Sequence, residues 1–162
     1  MYDIKKALGL GNDAACCTAL GSNFNEWTVP NYIMNKCIGA IELTDRGNYA
    51  GNTMIYLANV DGELSLILDN IEMKAKYQFN NKIRDAFFEY ARKLCGEIGK
   101  PDMSIYAGPN RHKVDMKGFP LKEKSIEIIG DSGDLEVYLD FDADAHQIGK
   151  GIIHKVDLYK IS

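Results

Sequence analysis

Two carboxylates stand at the end of an apolar segment, where they could act in acid–base chemistry. Asp69 and Glu72 fall in the stretch "LILDNIEM", shortly before a "QFNN" turn. A carboxylate beside a reacting carbon can remove a proton from an ammonium group, directly or through water. The two residues differ by three positions, so a regular strand would direct them to opposite faces. Glu72 is nearer the turn, and the alternative for either residue is an ordinary solvent-facing position of a strand.

The "QFNN" turn lies in a basic stretch that no acidic residue interrupts between Met73 and Arg84. The start of a helix presents unpaired N–H groups and the positive end of the helix dipole, which suit a phosphate. The turn is therefore either a cradle for an anion or a plain strand-to-helix connection with a solvated basic face. The residues leave both interpretations open. The four cations are Lys74, Lys76, Lys82 and Arg84.

Composition limits the classes of function. The 162 residues predict a single domain, 1–162, whose segment 1–36 is irregular or helical. A net charge of −4 argues against a nucleic-acid-binding surface. No apolar run is long enough to span a membrane, and the N-terminus lacks the apolar stretch of a signal peptide, so we expect a cytoplasmic protein.

Neither the cysteines nor the acidic run near the C-terminus predicts a metal site. The four cysteines show no Cys-x-x-Cys spacing, and we expect Cys95 to lie in the core. In "DFDADAH", Ala145 stands where a calcium loop needs glycine, and no glutamate closes the loop, so a solvated acidic edge is expected. His112 follows a predicted strand and is interpreted as a surface residue.

The positions of turn-forming residues predict where the strands and the helix begin and end. "CIGAIELTD", "NTMIYLANV" and "ELSLILDNIEM" are predicted strands, joined by turns at "DRGN" and Asp61-Gly62. We expect the third strand to be buried on both faces over Leu64–Leu68. An amphipathic helix begins at Asn80 or Asn81 and ends before Gly99. "MSIYAG", the hairpin "SIEIIGDSGDLEVYLDF", which begins at Ser125 and turns at 131–133, and "IIHKVDLYKI" complete the sheet.

These elements predict an α+β fold with a mixed, mostly antiparallel sheet and a central strand–helix–strand crossover. A single helix joins two apolar segments of this unit. We therefore expect Leu64–Met73 and Met103–Ala107 to be neighbouring parallel strands that part near the end of the first.

At this point the chain resembles the GNAT superfamily of acyl-CoA N-acyltransferases. "IEMKAKYQFNNKI" is similar to the family segment that runs from the fourth strand into the pyrophosphate loop. Ile71 and Met73 match its apolar strand positions, and Tyr77 and Gln78 match the approach and the first loop position. "MSIYAGPN" resembles the fifth strand, and "KGF" at 117–119 is similar to a frequent Leu-Gly-Phe. The order of elements matches from Cys37 to the end.

The resemblance implies an acyl-CoA site at the turn, with Glu72 or Asp69 as the catalytic base. Main-chain N–H groups from Phe79 to Ile83 would bind the diphosphate. Asn81 stands where the family prefers glycine, and Ile83 where it prefers glycine or alanine, so the resemblance predicts weaker binding. The family's frequent tyrosine acid is replaced by Val114. The implied cofactor-binding set is Ile71, Met73, Gln78, Phe79, Asn80, Asn81, Lys82, Ile83, Arg84 and Asn110.

The function implied is transfer of an acetyl or other acyl group from acyl-CoA to an amine. The acceptor would be a small molecule, a protein lysine or a protein N-terminus, with no metal, nucleic acid or membrane involved. The alternative is a non-catalytic GNAT-like domain, or an unrelated α+β interaction domain, of a larger bacterial or phage assembly. The residues leave the acceptor, the acyl chain and the oligomeric state open.

Overall fold

A computed structural model describes residues 35–109, 114–129 and 151–162. No helix in these ranges is long and apolar enough to cross a membrane. The elements in chain order are β1 (Ile38–Asp45), β2 (Asn48–Val60), β3 (Glu63–Leu68), β4 (Glu72–Met73), a 3-10 turn (Ala75–Tyr77), α1 (Asn81–Glu97), β5 (Ser104–Ala107), β6 (Leu121–Ile128) and β7 (His154–Lys160).

Two tight turns join the first three strands into antiparallel hairpins. Arg46 and Gly47 have φ angles of 51° and 79°, and Asp61 and Gly62 have φ angles of 50° and 94°. Positive φ at both central residues matches the right-handed twist of the flanking strands. Both predicted hairpins are therefore confirmed.

The predicted crossover is also confirmed. Asn80 caps α1, and its side chain accepts a hydrogen bond from the Lys82 N–H. The helix ends before Gly99, whose φ of 74° is in the left-handed region that terminates helices. The strands on either side of α1, β3 and β5, pair in parallel over Ser65–Leu68 and Ser104–Ala107. The described residues thus form a mostly antiparallel sheet with this one parallel pair and one long helix.

The sheet closes into a barrel, which the sequence did not predict. Neighbouring strands follow the order β1-β2-β3-β5-β7-β6, and the end of β2 pairs with β6 through Ala58–Val60 and Ile126–Ile128. Among the described strands, β2, β3, β5, β7 and β6 therefore form a closed ring. Along β2, the first half instead pairs with β1 on one edge and with β4 on the other.

Apolar residues fill both faces of this ring. The face opposite α1 forms an interior cluster, contributed by β1 and all five ring strands: Ile38, Tyr56, Ala58, Val60, Ile67, Tyr106, Ile126, Ile128, Val156 and Leu158. The outer face packs against α1 in a helix-side cluster that includes Leu66, Leu68, Ile71, Met73, Phe87, Phe88, Ala91, Cys95 and Ile105. Cys95 is a buried core residue, as expected, and desolvation raises the pKa of its thiol.

Two expectations about the strands need correction. Leu64 was expected to be buried on a strand with two covered faces, but the residue is 43% exposed, and burial begins at Ser65. The strand predicted from Ser125 begins earlier, at Leu121, and pairs with β7. The predicted turn at 131–133, the acidic run, His112 and Asn110 lie outside the described residues.

Candidate functional site

A β-bulge separates β3 from β4. Ile55 of β2 pairs with Leu68, and Asn52 of β2 pairs with Glu72. Between these two pairs β2 has two residues, 53 and 54, whereas the opposite chain has three, 69, 70 and 71. One extra residue against an unbroken partner strand is a bulge, a feature that redirects side chains and is frequent beside active sites.

The bulge places Asp69 and Glu72 on the same face of the sheet. The Tyr56 hydroxyl donates to Asp69 Oδ2 at 2.9 Å, and Tyr56 belongs to the interior cluster. Glu72 alternates with Ile71 and Met73, which both belong to the helix-side cluster, so it faces the interior side as well. The expectation that these two carboxylates face opposite sides was wrong, because the extra residue shifts the alternation by one.

Glu72 lies opposite Asn52 on this face. The two are direct cross-strand partners, and each residue is 8% exposed. Directly opposite residues of an antiparallel pair have β-carbons about 4.5–5.5 Å apart. Asn52 and Tyr56 are both even-numbered positions of an uninterrupted stretch of β2, so they share a face. The site therefore combines two carboxylates, an amide and a phenol, of which sequence reasoning named only the carboxylates.

Asp69 is held by hydrogen bonds on every side. Its N–H donates to the Met54 carbonyl at 2.9 Å, and its own carbonyl accepts from Thr53 Oγ1 at 3.2 Å. Its Oδ1 accepts from the Asn70 N–H at 2.8 Å, in addition to the bond that Oδ2 accepts from Tyr56. The side chain is thus part of the bulge itself rather than a projecting group.

Gly51 allows β4 to approach β2. A β-carbon at position 51 would collide with the main-chain carbonyl of Glu72. Beyond this contact, Lys74 N–H donates to the Ala50 carbonyl at 3.1 Å and continues the pairing. The main chain of β4 is therefore fixed directly beneath the Glu72 side chain.

The "QFNN" turn satisfies most of its own N–H groups. Asn80 N–H donates to the Tyr77 carbonyl, Lys82 N–H to Asn80 Oδ1, and Ile83 N–H to the Asn80 carbonyl. Of the five N–H groups from 79 to 83, those of Phe79 and Asn81 have no partner among the described residues. Phe79 has a φ of 59°, and the residue is 61% exposed. An anion at this turn would meet two main-chain donors rather than five.

The basic residues around the turn are of two kinds. Lys74, Lys76 and Lys82 are exposed, and the ammonium groups of Lys74 and Lys76 lie 5.3 and 4.5 Å from the ring centres of Tyr49 and Tyr77. The hydrogen bond with Tyr77 raises the pKa of Lys76 above its ordinary value. The three lysines therefore present positive charge to solvent at the helix start.

Arg84 is different, because its guanidinium is buried and already engaged. It pairs with Asp85 at 2.7 Å, donates to the Asp115 carbonyl, and lies 5.3 Å from the ring centre of Phe119 and 6.0 Å from that of Phe88. These contacts dock the segment around Asp115 onto α1. Within the turn, we therefore assign the exposed positive charge to the lysines.

The remaining predicted binding positions are dispersed. Ile71 and Met73 direct their side chains into the helix-side cluster, and Ile83 packs partly against it. Gln78 ends the 3-10 turn and is half-buried. Asn110 lies outside the described residues, which contain no group of three or more His, Cys, Asp or Glu that could hold a metal ion.

One signal in the sequence could have revealed the bulge. The polar pair Asp69-Asn70 interrupts an apolar run, and both residues are buried in the structure. Polar residues inside an otherwise buried strand require hydrogen-bond partners, which a bulge supplies. Tyr56 and Asn52 carried no comparable signal, because tyrosine is common in strands and asparagine is common near their turns.

Comparisons of the chain with protein-family models, with curated proteins and with solved structures found no match.

Proposed function

We propose that the protein is an N-acyltransferase that moves an acetyl or other acyl group from acyl-CoA to an amine in the cytoplasm. The observation that carries this proposal is the bulge, because it gathers Asp69 and Glu72 on one buried face. The pair lies just beyond Leu68 and Ala107, where the parallel pairing of β3 and β5 ends. The parallel pair around α1 also supports the GNAT resemblance, which requires it.

Acyl transfer to an amine requires one proton acceptor in the protein. The amine reaches the site as an ammonium ion, and Glu72 takes a proton from it so that the nitrogen lone pair becomes available. The nitrogen then forms a bond to the thioester carbonyl carbon, the carbon–sulfur bond breaks, and CoA leaves as a thiolate that takes up a proton. Acceptors consistent with this role are an amine-bearing small molecule, a protein lysine or a protein N-terminus.

The turn at the start of α1 is the proposed contact for the CoA diphosphate. The N–H groups of Phe79 and Asn81, which have no partner within the described part of the chain, can donate to phosphate oxygens, as can the exposed Lys76 and Lys82. With fewer main-chain donors than a glycine-rich loop, this contact relies more on lysine charge. We therefore propose weak, salt-sensitive binding of CoA.

A second candidate function is favoured by the same turn. Asn80 caps α1 with its own side chain, and its carbonyl accepts from the Ile83 and Arg84 N–H groups. A turn that satisfies its own donors can be a plain connection. The protein would then be a non-catalytic domain of the same fold within a larger assembly.

One experiment separates the two candidates. Release of free CoA thiol from acetyl-CoA is followed in the presence of a panel of amines, together with the melting temperature of the protein with and without acetyl-CoA. A ligand at a hundred times its dissociation constant adds about 2.7 kcal/mol of stability. Acyltransferase function predicts both thiol release and a raised melting temperature. If millimolar acetyl-CoA causes neither, the non-catalytic candidate replaces the proposal.

A further inference from the structure

We infer that Asp69 and Tyr56 are positioning residues that hold the bulge and thereby decide which face Glu72 occupies, and that Asp69 is not the catalytic base. This inference deepens the proposed function and rests on it for the role of Glu72. The positioning itself is a property of the fold, so it can be tested without an acyl donor.

Hydrogen bonds occupy both oxygens of the Asp69 carboxylate. Both carboxylate oxygens accept from donors of the protein, Oδ2 from Tyr56 at 2.9 Å and Oδ1 from the Asn70 N–H at 2.8 Å. An ionised carboxylate is the stronger acceptor, so uptake of a proton would weaken these bonds. The bulge would lose its anchor at the moment of catalysis if Asp69 were the base.

The register of β4 decides which face of the sheet Glu72 occupies. A strand directs successive side chains to alternate faces, so a shift of one residue moves each of them to the other side. If the extra residue at 69–71 were absorbed into regular pairing, Glu72 would point among the apolar residues of the helix-side cluster. The Asp69–Tyr56 bond secures the first end of the bulge, and pairing with Gly51 and Asn52 secures the other.

Tyr56 holds the bulge from the interior of the barrel. Its ring is fully buried in the interior cluster, and its hydroxyl reaches Asp69 across the β2–β3 pair. A hydrogen bond to a charged group is shorter and stronger than one between two neutral groups. The phenol therefore connects the bulge to the buried interior of the barrel rather than to a surface side chain.

The test compares Tyr56→Phe and Asp69→Asn with a matched control, Tyr106→Phe. Tyr106 belongs to the same interior cluster, and no hydrogen bond of its hydroxyl is found among the described residues. Amide hydrogen exchange, read by NMR, reports the bulge directly. We expect the amides of residues 69 and 74, relative to their intrinsic rates, to exchange about tenfold faster or more in Tyr56→Phe and Asp69→Asn, while the amides of α1 and those of the control remain unchanged.

Kinetics supply the second measurement. We expect both variants to lower kcat while the Kd for acetyl-CoA stays constant, and Asp69→Asn to keep the rising limb of the pH profile that Glu72→Gln loses. Unchanged exchange at Lys74 in both variants overturns the positioning role. Loss of the limb in Asp69→Asn, with its retention in Glu72→Gln, makes Asp69 the base and overturns the assignment.

The two proposals fail in distinguishable ways. If the wild type transfers no acyl group, the proposed function fails, but exchange at Lys74 still decides whether Asp69 and Tyr56 position β4. Tyr56→Phe keeps the ring that fills the interior cluster, so its folded state remains measurable if Asp69→Asn does not fold.

Discussion

Gly51 of β2 faces the main-chain carbonyl of Glu72 so closely that no side chain fits between them. The contact explains how a two-residue strand, β4, stays paired in a fixed position after a bulge. A substitution at Gly51 is therefore the most direct way to change the orientation of Glu72, although glycine has no functional group of its own.

Replacing Gly51 with alanine should displace β4, because the added methyl group meets main chain rather than a flexible side chain. We expect a loss of about 1–3 kcal/mol in the free energy of unfolding, as is typical of overpacking. Chemical denaturation measures this loss. Gly96→Ala is the control, since a β-carbon there meets open space on α1 and helix propensity favours alanine by up to about 1 kcal/mol. Equal stability of the two variants would contradict the close approach.

Replacing Glu72 with glutamine tests the proposed base. Glutamine keeps the size of the side chain but cannot take up the proton, so turnover should fall about 10²-fold or more, and the pH dependence should flatten. Affinity for acetyl-CoA, measured by calorimetry, should barely change. Full activity of this variant would remove Glu72 from the mechanism.

Local patterns predicted most elements, and the relationships between distant segments were the part that they missed. The turn at Asp61-Gly62 and the parallel pair around α1 followed from turn chemistry and from one helix between two apolar runs. The bulge was missed because a single extra residue leaves the apolar run almost intact. Closure of the barrel depends on pairing of Ala58 with Ile128, two residues far apart in the chain, for which no local signal exists.

Charge at the turn gives the test of the anion site. Replacing Lys76 and Lys82 together with alanine should weaken CoA binding and reduce its dependence on salt, because exposed charges act through a field screened over about 8 Å at physiological ionic strength. Calorimetry at several salt concentrations measures both effects. Lys93→Ala is the control, since Lys93 is exposed on the same helix and pairs with Glu97. Absence of wild-type binding at millimolar CoA would eliminate the anion site.

Arg84 should behave as a structural residue. Its guanidinium contacts two aromatic rings and the Asp115 carbonyl, so Arg84→Ala should lower the free energy of unfolding by about 1–3 kcal/mol. Lysine should restore little of it, because a point charge cannot reproduce the planar donor group. Thermal denaturation of both variants checks this, with Lys82→Ala expected to lie within about 0.5 kcal/mol of the wild type. If Arg84→Ala is as stable as the wild type, the guanidinium has no structural role, and in the wild type it is available for an anion.

Asp61 follows β2 and pairs with Lys124 of β6, next to the place where these two strands close the barrel. We expect this contact to make stability depend on pH. Asp61 Oδ2 accepts from the Lys124 ammonium at 2.7 Å, and Oδ1 accepts from the Ser125 N–H at 3.0 Å. The hydrogen bond from Lys124, and then that from Ser125, hold the pKa of Asp61 below its ordinary value. Because the folded pKa is the lower one, the stabilisation is complete above the ordinary pKa of about 3.9 and is lost as the pH falls through the folded value.

Asp61→Asn isolates this charge. Asparagine has the same shape and tolerates the positive φ of the turn, so its own turn preference can offset the lost charge at any single pH. The readout is therefore the difference in melting temperature between wild type and variant, which should shift in favour of the variant as the pH falls from 7 to 3. The exposed pair Lys93–Glu97 within α1 supplies the control, through Glu97→Gln. A difference that is constant across this pH range would show that the ion pair contributes nothing to barrel closure.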